Sequence, residues 1–225
     1  MSNTPARKPG ASARQASPGR PKDLAKGAAI LEAAKRMFTL HGYERASMDL
    51  IASEAGVSKL TVYSHFGDKD ALFAAAVKSH CETQLPDALF EPSPDTPLRE
   101  RLLGIARAFF AMVSSPEAVA GHRIMCSPQV TDSPLPEIFW KAGPERVQTA
   151  FSKLLQSRID AGQLEIPDVA LASSQFFALL KGEVHARMVF GCCSGNRPVD
   201  EHLDACVDMF LRAYGVRGTR AAGQS

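Results

Sequence analysis

The segment SMDLIASEAGVSKLTVYSHF at 47–66 restricts the folding of this chain more than any other stretch. Ser47 and Ser58 each stand where a helix would begin, and a serine there can accept a hydrogen bond from one of the backbone N–H groups a helix start leaves orphaned. Gly56 and Gly67 stand where those helices would stop. Two short helices joined at the corner Ala55-Gly56-Val57-Ser58 have the layout of a helix-turn-helix, whose second helix enters the DNA major groove. Leu50, Ile51, Ala55, Val57, Val62 and Phe66 provide an inner apolar face. A second helix this short is not held by propensity, so its neighbours must clamp it. It leaves Lys59, Leu60, Thr61, Tyr63 and His65 available to DNA.

The surrounding pattern is helical. Ile30, Ala34 and Phe38 recur at helical spacing between about Asp23 and His41, and Gly42 sits where a left-handed terminal residue belongs. Asp68 caps a fourth helix that starts at Lys69 and runs towards Gln84. Pro86 and the run EPSPDTP at 91–97 then interrupt the pattern, because proline cannot continue a helix. Beyond them, helical stretches are expected at about Leu98–Val113, Glu117–Met125, Leu135–Ala161, Pro167–Gly191 and Pro198–Tyr214, the last two separated by the loop CCSGN. Strand-like alternation is nearly absent. The expected fold is all-α: a disordered basic arm at 1–19, a three-helix helix-turn-helix domain at 20–82, a larger helical ligand-binding and dimerisation domain at 83–214, and a frayed tail at 215–225.

Charge is unevenly placed. Residues 1–82 hold 12 Lys and Arg against 8 Asp and Glu, whereas 83–225 hold 14 against 16. A basic front suits a chain with one end near phosphate. No apolar run approaches the ~18 residues a membrane span needs. The N-terminal stretch lacks the apolar core of a secretory signal. Five cysteines, an odd count, point to a reducing compartment rather than a disulfide framework. The expected location is the cytoplasm, with no membrane partner.

The runs GRPK at 19–22, ILEAAKRMF at 30–38 and GYERASMDLIASEAGVSKLTVYSHFGDKDALF at 42–73 resemble the DNA-binding domain of TetR/AcrR-type regulators. The later runs at 136–165 (PEIFWKAGPERVQTAFSKLLQSRIDAGQLE) and 175–191 (QFFALLKGEVHARMVFG) resemble the AefR-like C-terminal domain found in part of that family. The resemblance implies that Lys59, Leu60 and Thr61 reach base edges or nearby backbone. Tyr63, His65, Lys69 and Ser47 would then touch phosphates. Helix N-termini, a Tyr hydroxyl and a Lys ammonium are each chemically suited to that contact. Many members carry a small residue at position 60; Leu60 can read only shape or a thymine methyl. Arg20 and Lys22, before the first helix, are candidates for the adjacent minor groove.

The rear half concentrates aromatic residues and methionines that serve a core and could also wall a pocket for an apolar or amphipathic effector. Phe109, Phe110, Met125, Trp140, Phe177 and His185 are the pocket candidates. Polar neighbours such as His122, Arg123 and Arg187 are candidates for orienting a guest. Family pattern places a homodimer interface on the last two helices, through Phe176, Leu180, Met188, Val207, Phe210 and Leu211. The function expected is a ligand-responsive repressor of a near-palindromic operator. A thiol sensor using Cys126, Cys192, Cys193 or Cys206 is the competing input. The pair His122/Cys126 and the neighbours His80 and Cys81 are too few for a metal site. No nucleophile elbow, phosphate loop or paired-carboxylate pattern marks an enzyme, and no cofactor is expected.

Overall fold

A computed structural model of the protein describes residues 21–91, 96–192 and 198–216. The arm at 1–19, Arg20 and Cys193 lie outside these residues. Within them the regular structure is helical, apart from one isolated antiparallel bridge between Leu164 and Gly215. The front is built from α1 (Pro21–Arg45), α2 (Met48–Glu54), α3 (Lys59–Phe66) and α4 (Lys69–Gln84). A 3-10 turn at Asp87–Leu89 leads into α5 (Leu98–Val113), α6 (Pro116–Met125), α7 (Pro128–Thr131), α8 (Leu135–Ala142), α9 (Pro144–Asp160), α10 (Val169–Phe190) and α11 (Val199–Tyr214). No single helix among the described residues is long and apolar enough to cross a membrane.

Helix starts follow local chemistry. Ser47, Ser58, Asp68, Ser115 and Asp168 each accept a backbone N–H three residues ahead, at 2.7 to 3.1 Å. The stops depend on glycine. α1 breaks at Gly42, whose φ of 73° is positive as expected but whose ψ of 169° is extended rather than left-handed helical. The helical run expected over 135–161 divides at Gly143, because Pro144 has no N–H for the preceding turn and pushes the residue before it off the helical conformation; α4 passes close behind that glycine. A Cβ there would meet Val77 Cγ1 at 3.1 Å and Cys81 Sγ at 3.4 Å. Lys22 lies in the first turn of α1 rather than ahead of it.

Two clusters of buried side chains form the interior. The rear cluster joins α5, α9, α10 and α11 around Phe151, whose ring stacks on Phe176 at 4.7 Å, while Phe210 meets Phe176 edge-on at 5.1 Å. The front cluster joins α1 to α4 around Ile30, Ile51, Val62 and Leu72 and also takes in Val130 and Leu135, from beyond the proline break.

This packing corrects the expected partner-facing set. Phe176, Leu180 and Val207 are fully buried inside the protomer and Phe210 is 2% exposed. Met188 and Leu211 are half-buried against the same core. Helices α5 and α9 have already covered the apolar stripe that an interface would need. The faces that α10 and α11 leave exposed carry Leu171, Gln175 and Ala178, and Ala205 and Met209.

The tail is also more ordered at its start than expected. Glu165 N donates to Tyr214 O at 2.8 Å and Val216 N to Gln163 O at 3.2 Å, tying residues 215–216 to the turn after α9. Residues 217–225 lie outside the described set.

A DNA-reading end and a cavity behind it

Val62 is fully buried against the front core, so the residues one turn away on its own side of α3 are drawn inward. His65 is one of them: its Nε2 lies 2.9 Å from Asp23 Oδ1 on α1. It therefore braces the short helix rather than facing outward, a correction to its expected role. The outer face of α3 carries Lys59, Leu60 and Tyr63. Leu60 is 78% exposed, a large apolar side chain that nothing in the protomer covers. Lys59 is held by Asp49 of α2, at 2.7 Å. Thr61 Oγ1 lies 2.8 Å from Ser58 Oγ, so it belongs to the cap at the helix start.

Ser47 opens α2 and Lys69 opens α4. The Lys69 ammonium sits 4.2 Å from the centroid of the Tyr43 ring and donates to Glu44 O at 3.2 Å. The Tyr43 hydroxyl donates to Asp70; burial, followed by that bond, raises its pKa. The same ring stacks on Phe38 and meets Phe73 edge-on. The sequence does not mark Tyr43, because an aromatic after a helix-ending glycine carries no sign of what lies above its face.

Behind this end lies a cavity of about 810 Å³, walled by both halves of the chain. From the front come Phe38, Tyr43, Phe73 and His80; from the rear come Phe109, Met125, Phe139, Trp140 and Phe177 among others. Of the expected pocket residues, Phe109, Met125, Trp140 and Phe177 line it. Phe110 does not, since it turns to α11, where its ring faces His202 at 6.5 Å. His185 stands behind the wall, edge-on to the lining residue His122 at 4.9 Å. Arg123 points away and donates to Met188 O and Val189 O, both at 2.7 Å, fastening α6 to the end of α10. The front-half walls were hidden in the sequence, where buried aromatics at helical spacing read only as core.

Burial, with Lys181 nearby, lowers the pKa of both His122 and His185, that of His122 to about 4. Burial and the Lys35 charge lower that of His80. All three are neutral imidazoles near pH 7. Burial pushes the Cys81 thiol up to about 11 and raises that of Cys206, so neither has the thiolate character of a redox sensor. Cys126 and Cys192 are exposed. Among the described residues no group of three or more His, Cys, Asp or Glu is arranged to hold a metal ion.

Both parts of the chain match families of known proteins. Residues 30–76 match the sequence model of bacterial regulatory proteins of the tetR family, and residues 100–216 match that of the AefR-like transcriptional repressor, C-terminal domain. The HTH-type transcriptional activator FasR of Mycolicibacterium smegmatis is 36% identical over 93 residues, covering 41% of this chain and only 42% of its own length. The uncharacterized HTH-type transcriptional regulator YhgD of Bacillus subtilis is 23% identical over 192 residues, 85% of this chain and 95% of that one. Among solved structures, a TetR-family transcriptional regulator from Mesorhizobium loti superposes with a TM-score of 0.71 at 28% identity, over 88% of this chain and 100% of that one. The flavonoid-responsive regulator FrrA superposes with a TM-score of 0.68 at 31% identity, over 86% and 98%. A capped two-helix reading unit at one end and a helical domain of known type over the rest leave one assignment: the chain belongs to the TetR family of DNA-binding transcriptional regulators, in the branch with an AefR-like C-terminal domain.

Proposed function

We propose that this regulator is a ligand-responsive repressor, working in the cytoplasm as a homodimer on a near-palindromic operator and releasing it when a small apolar or amphipathic molecule fills the cavity. The observation that carries the reading is Tyr43, which lines the cavity while its ring supports the Lys69 ammonium. Lys69 and Ser47, at the starts of α4 and α2, are suited to hold phosphate at positively polarised helix ends. A guest pressing on Tyr43 therefore bears directly on a phosphate anchor. It releases DNA only to the extent that it binds the released conformer more tightly than the DNA-bound one. Helix α6 offers a second route, since it lends His122 and Met125 to the cavity and grips the end of α10 through Arg123.

Small-molecule input is supported by the likeness to the flavonoid-responsive regulator FrrA, and repression by the match to the AefR-like transcriptional repressor C-terminal domain. The exposed faces of α10 and α11 would pair about a twofold axis as a four-helix packing. That sets two recognition helices about 34 Å apart on one face of the duplex. Leu60, Lys59 and Tyr63 would enter the groove, with Arg20 and Lys22 beside it.

The test is selection of genomic fragments by the purified protein, then anisotropy titration of the best fragment at several salt concentrations. Wild type should bind a near-palindrome. The Tyr63→Ala, Lys69→Ala variant should bind it at least tenfold more weakly with a shallower salt slope, having lost phosphate contacts. Equal affinity and slope for the two proteins would remove α3 and α4 from the DNA interface.

A further inference from the structure

The cavity wall carries five charged side chains: Glu32, Lys35, Arg36, Glu117 and Lys181. Lys35 is paired with Glu32 at 2.8 Å, and Arg36 with Glu54 at 3.0 Å. Glu117 is exposed in the first turn of α6, where the helix start favours a carboxylate. Lys181, half-buried on α10, makes no ion pair or hydrogen bond among the described residues. Two neutral imidazoles share the wall with it, and each has a buried nitrogen with no hydrogen-bond partner, His122 Nδ1 and His80 Nε2. The Lys181 charge reaches one of them, since it contributes to lowering the His122 pKa. Much of the remaining wall is rings, including Phe73, Phe109, Phe139, Trp140 and Phe177.

We infer that the effector is an apolar, ring-bearing acid whose carboxylate is met by the Lys181 ammonium while its body lies between the aromatic walls. This rests on the ligand-responsive reading above and narrows it to a chemical class. A cationic guest would be repelled by that ammonium, and the Glu117 carboxylate that could receive it is solvent-exposed at the rim of α6. A neutral guest could satisfy the imidazoles but would leave that ammonium without a counter-charge in an apolar setting. An oxyanion answers the ammonium through a charge-assisted hydrogen bond. Aromatic walls take rings by offset and edge-on contact, and a space of about 810 Å³ lies in the range of small-molecule sites.

Isothermal titration of the full chain with biphenyl-4-carboxylate and with its near-isostere biphenyl-4-carboxamide separates charge from shape. Wild type should bind the acid about tenfold or more tightly than the amide, the worth of one charge-assisted contact. Lys181→Met should bind both alike, with amide affinity unchanged, and Lys181→Arg should keep the preference. Equal binding of acid and amide by wild type overturns the acid class, and a preference that survives in Lys181→Met overturns the part given to Lys181; either leaves the cavity as the effector site. If neither probe binds wild type, the ligand-responsive reading of the cavity falls, and the inference falls with it.

Discussion

The His122 imidazole lies edge-on to both His185 and Phe139, with one nitrogen buried and unpaired. Its pKa near 4 in the folded protein is below the ordinary 6.5, so the unfolded chain takes up the proton first. Stability is then complete above pH 6.5 and is lost as pH falls towards 4. The slope is at most about 1.4 kcal/mol per pH unit from this one group. His80 and His185 are lowered too and act in the same direction. Denaturant melts at pH 7.0, 6.0 and 5.0 should show the decline, and His122→Gln should make it shallower; an unchanged slope would show that His122 is protonated in the folded state. On the DNA side, the single residue of most interest is Leu60. If α3 enters the groove as proposed, an exposed leucine there makes no hydrogen bond to a base edge, and its contribution to specificity would come through shape or a thymine methyl.

Helix α10 shows what an element demands of one position. It is broken at Gly182, with φ 47° and ψ −157°, a conformation open essentially only to glycine. The His202 ring of α11 sits in the place of the missing side chain, 3.0 Å from where a Cβ would be, and its Nε2 lies 3.0 Å from Leu180 O. Gly182→Ala should cost about 2–3 kcal/mol through backbone strain and this clash. For a chain of this length that lowers the Tm by about 5–10 °C, measurable by circular dichroism. A variant melting within a degree of wild type would mean that the bend is not required.

The sequence disclosed the start of α10 but not this bend, and the contrast is general. Ser47, Ser58 and Asp68 were legible as caps because a cap is made within three residues of chain. The break at Gly143 has a local cause too, since Pro144 follows it, whereas the bend at Gly182 is filled by His202, a partner distant in sequence. The family resemblance assigns the apolar stripe of α10 and α11 to a partner subunit, but it carries no information on whether α5 and α9 cover that stripe first, and Phe176, Leu180, Val207 and Phe210 lie buried within the chain.

At the scale of the whole molecule, the dimer proposal rests on what α10 and α11 leave uncovered. Met209, 48% exposed, lies near the middle of the α11 face. A charge there would be desolvated in a twofold interface, where each substitution counts twice. Met209→Glu should shift the protein from dimer to monomer in sedimentation while leaving the protomer folded; an unaltered dimer would move the interface elsewhere. The two halves of the protomer are themselves less separable than the proline run at 91–97 suggests. Val130 and Leu135 are 4% and 2% exposed inside the front core, although they lie more than thirty residues beyond that run. For anyone recombining these regulators, the exchangeable cassette is therefore not the N-terminal stretch alone. A graft cut at the prolines would carry an unfilled socket, and a workable hybrid must bring α7 and α8 along with the helices that read DNA.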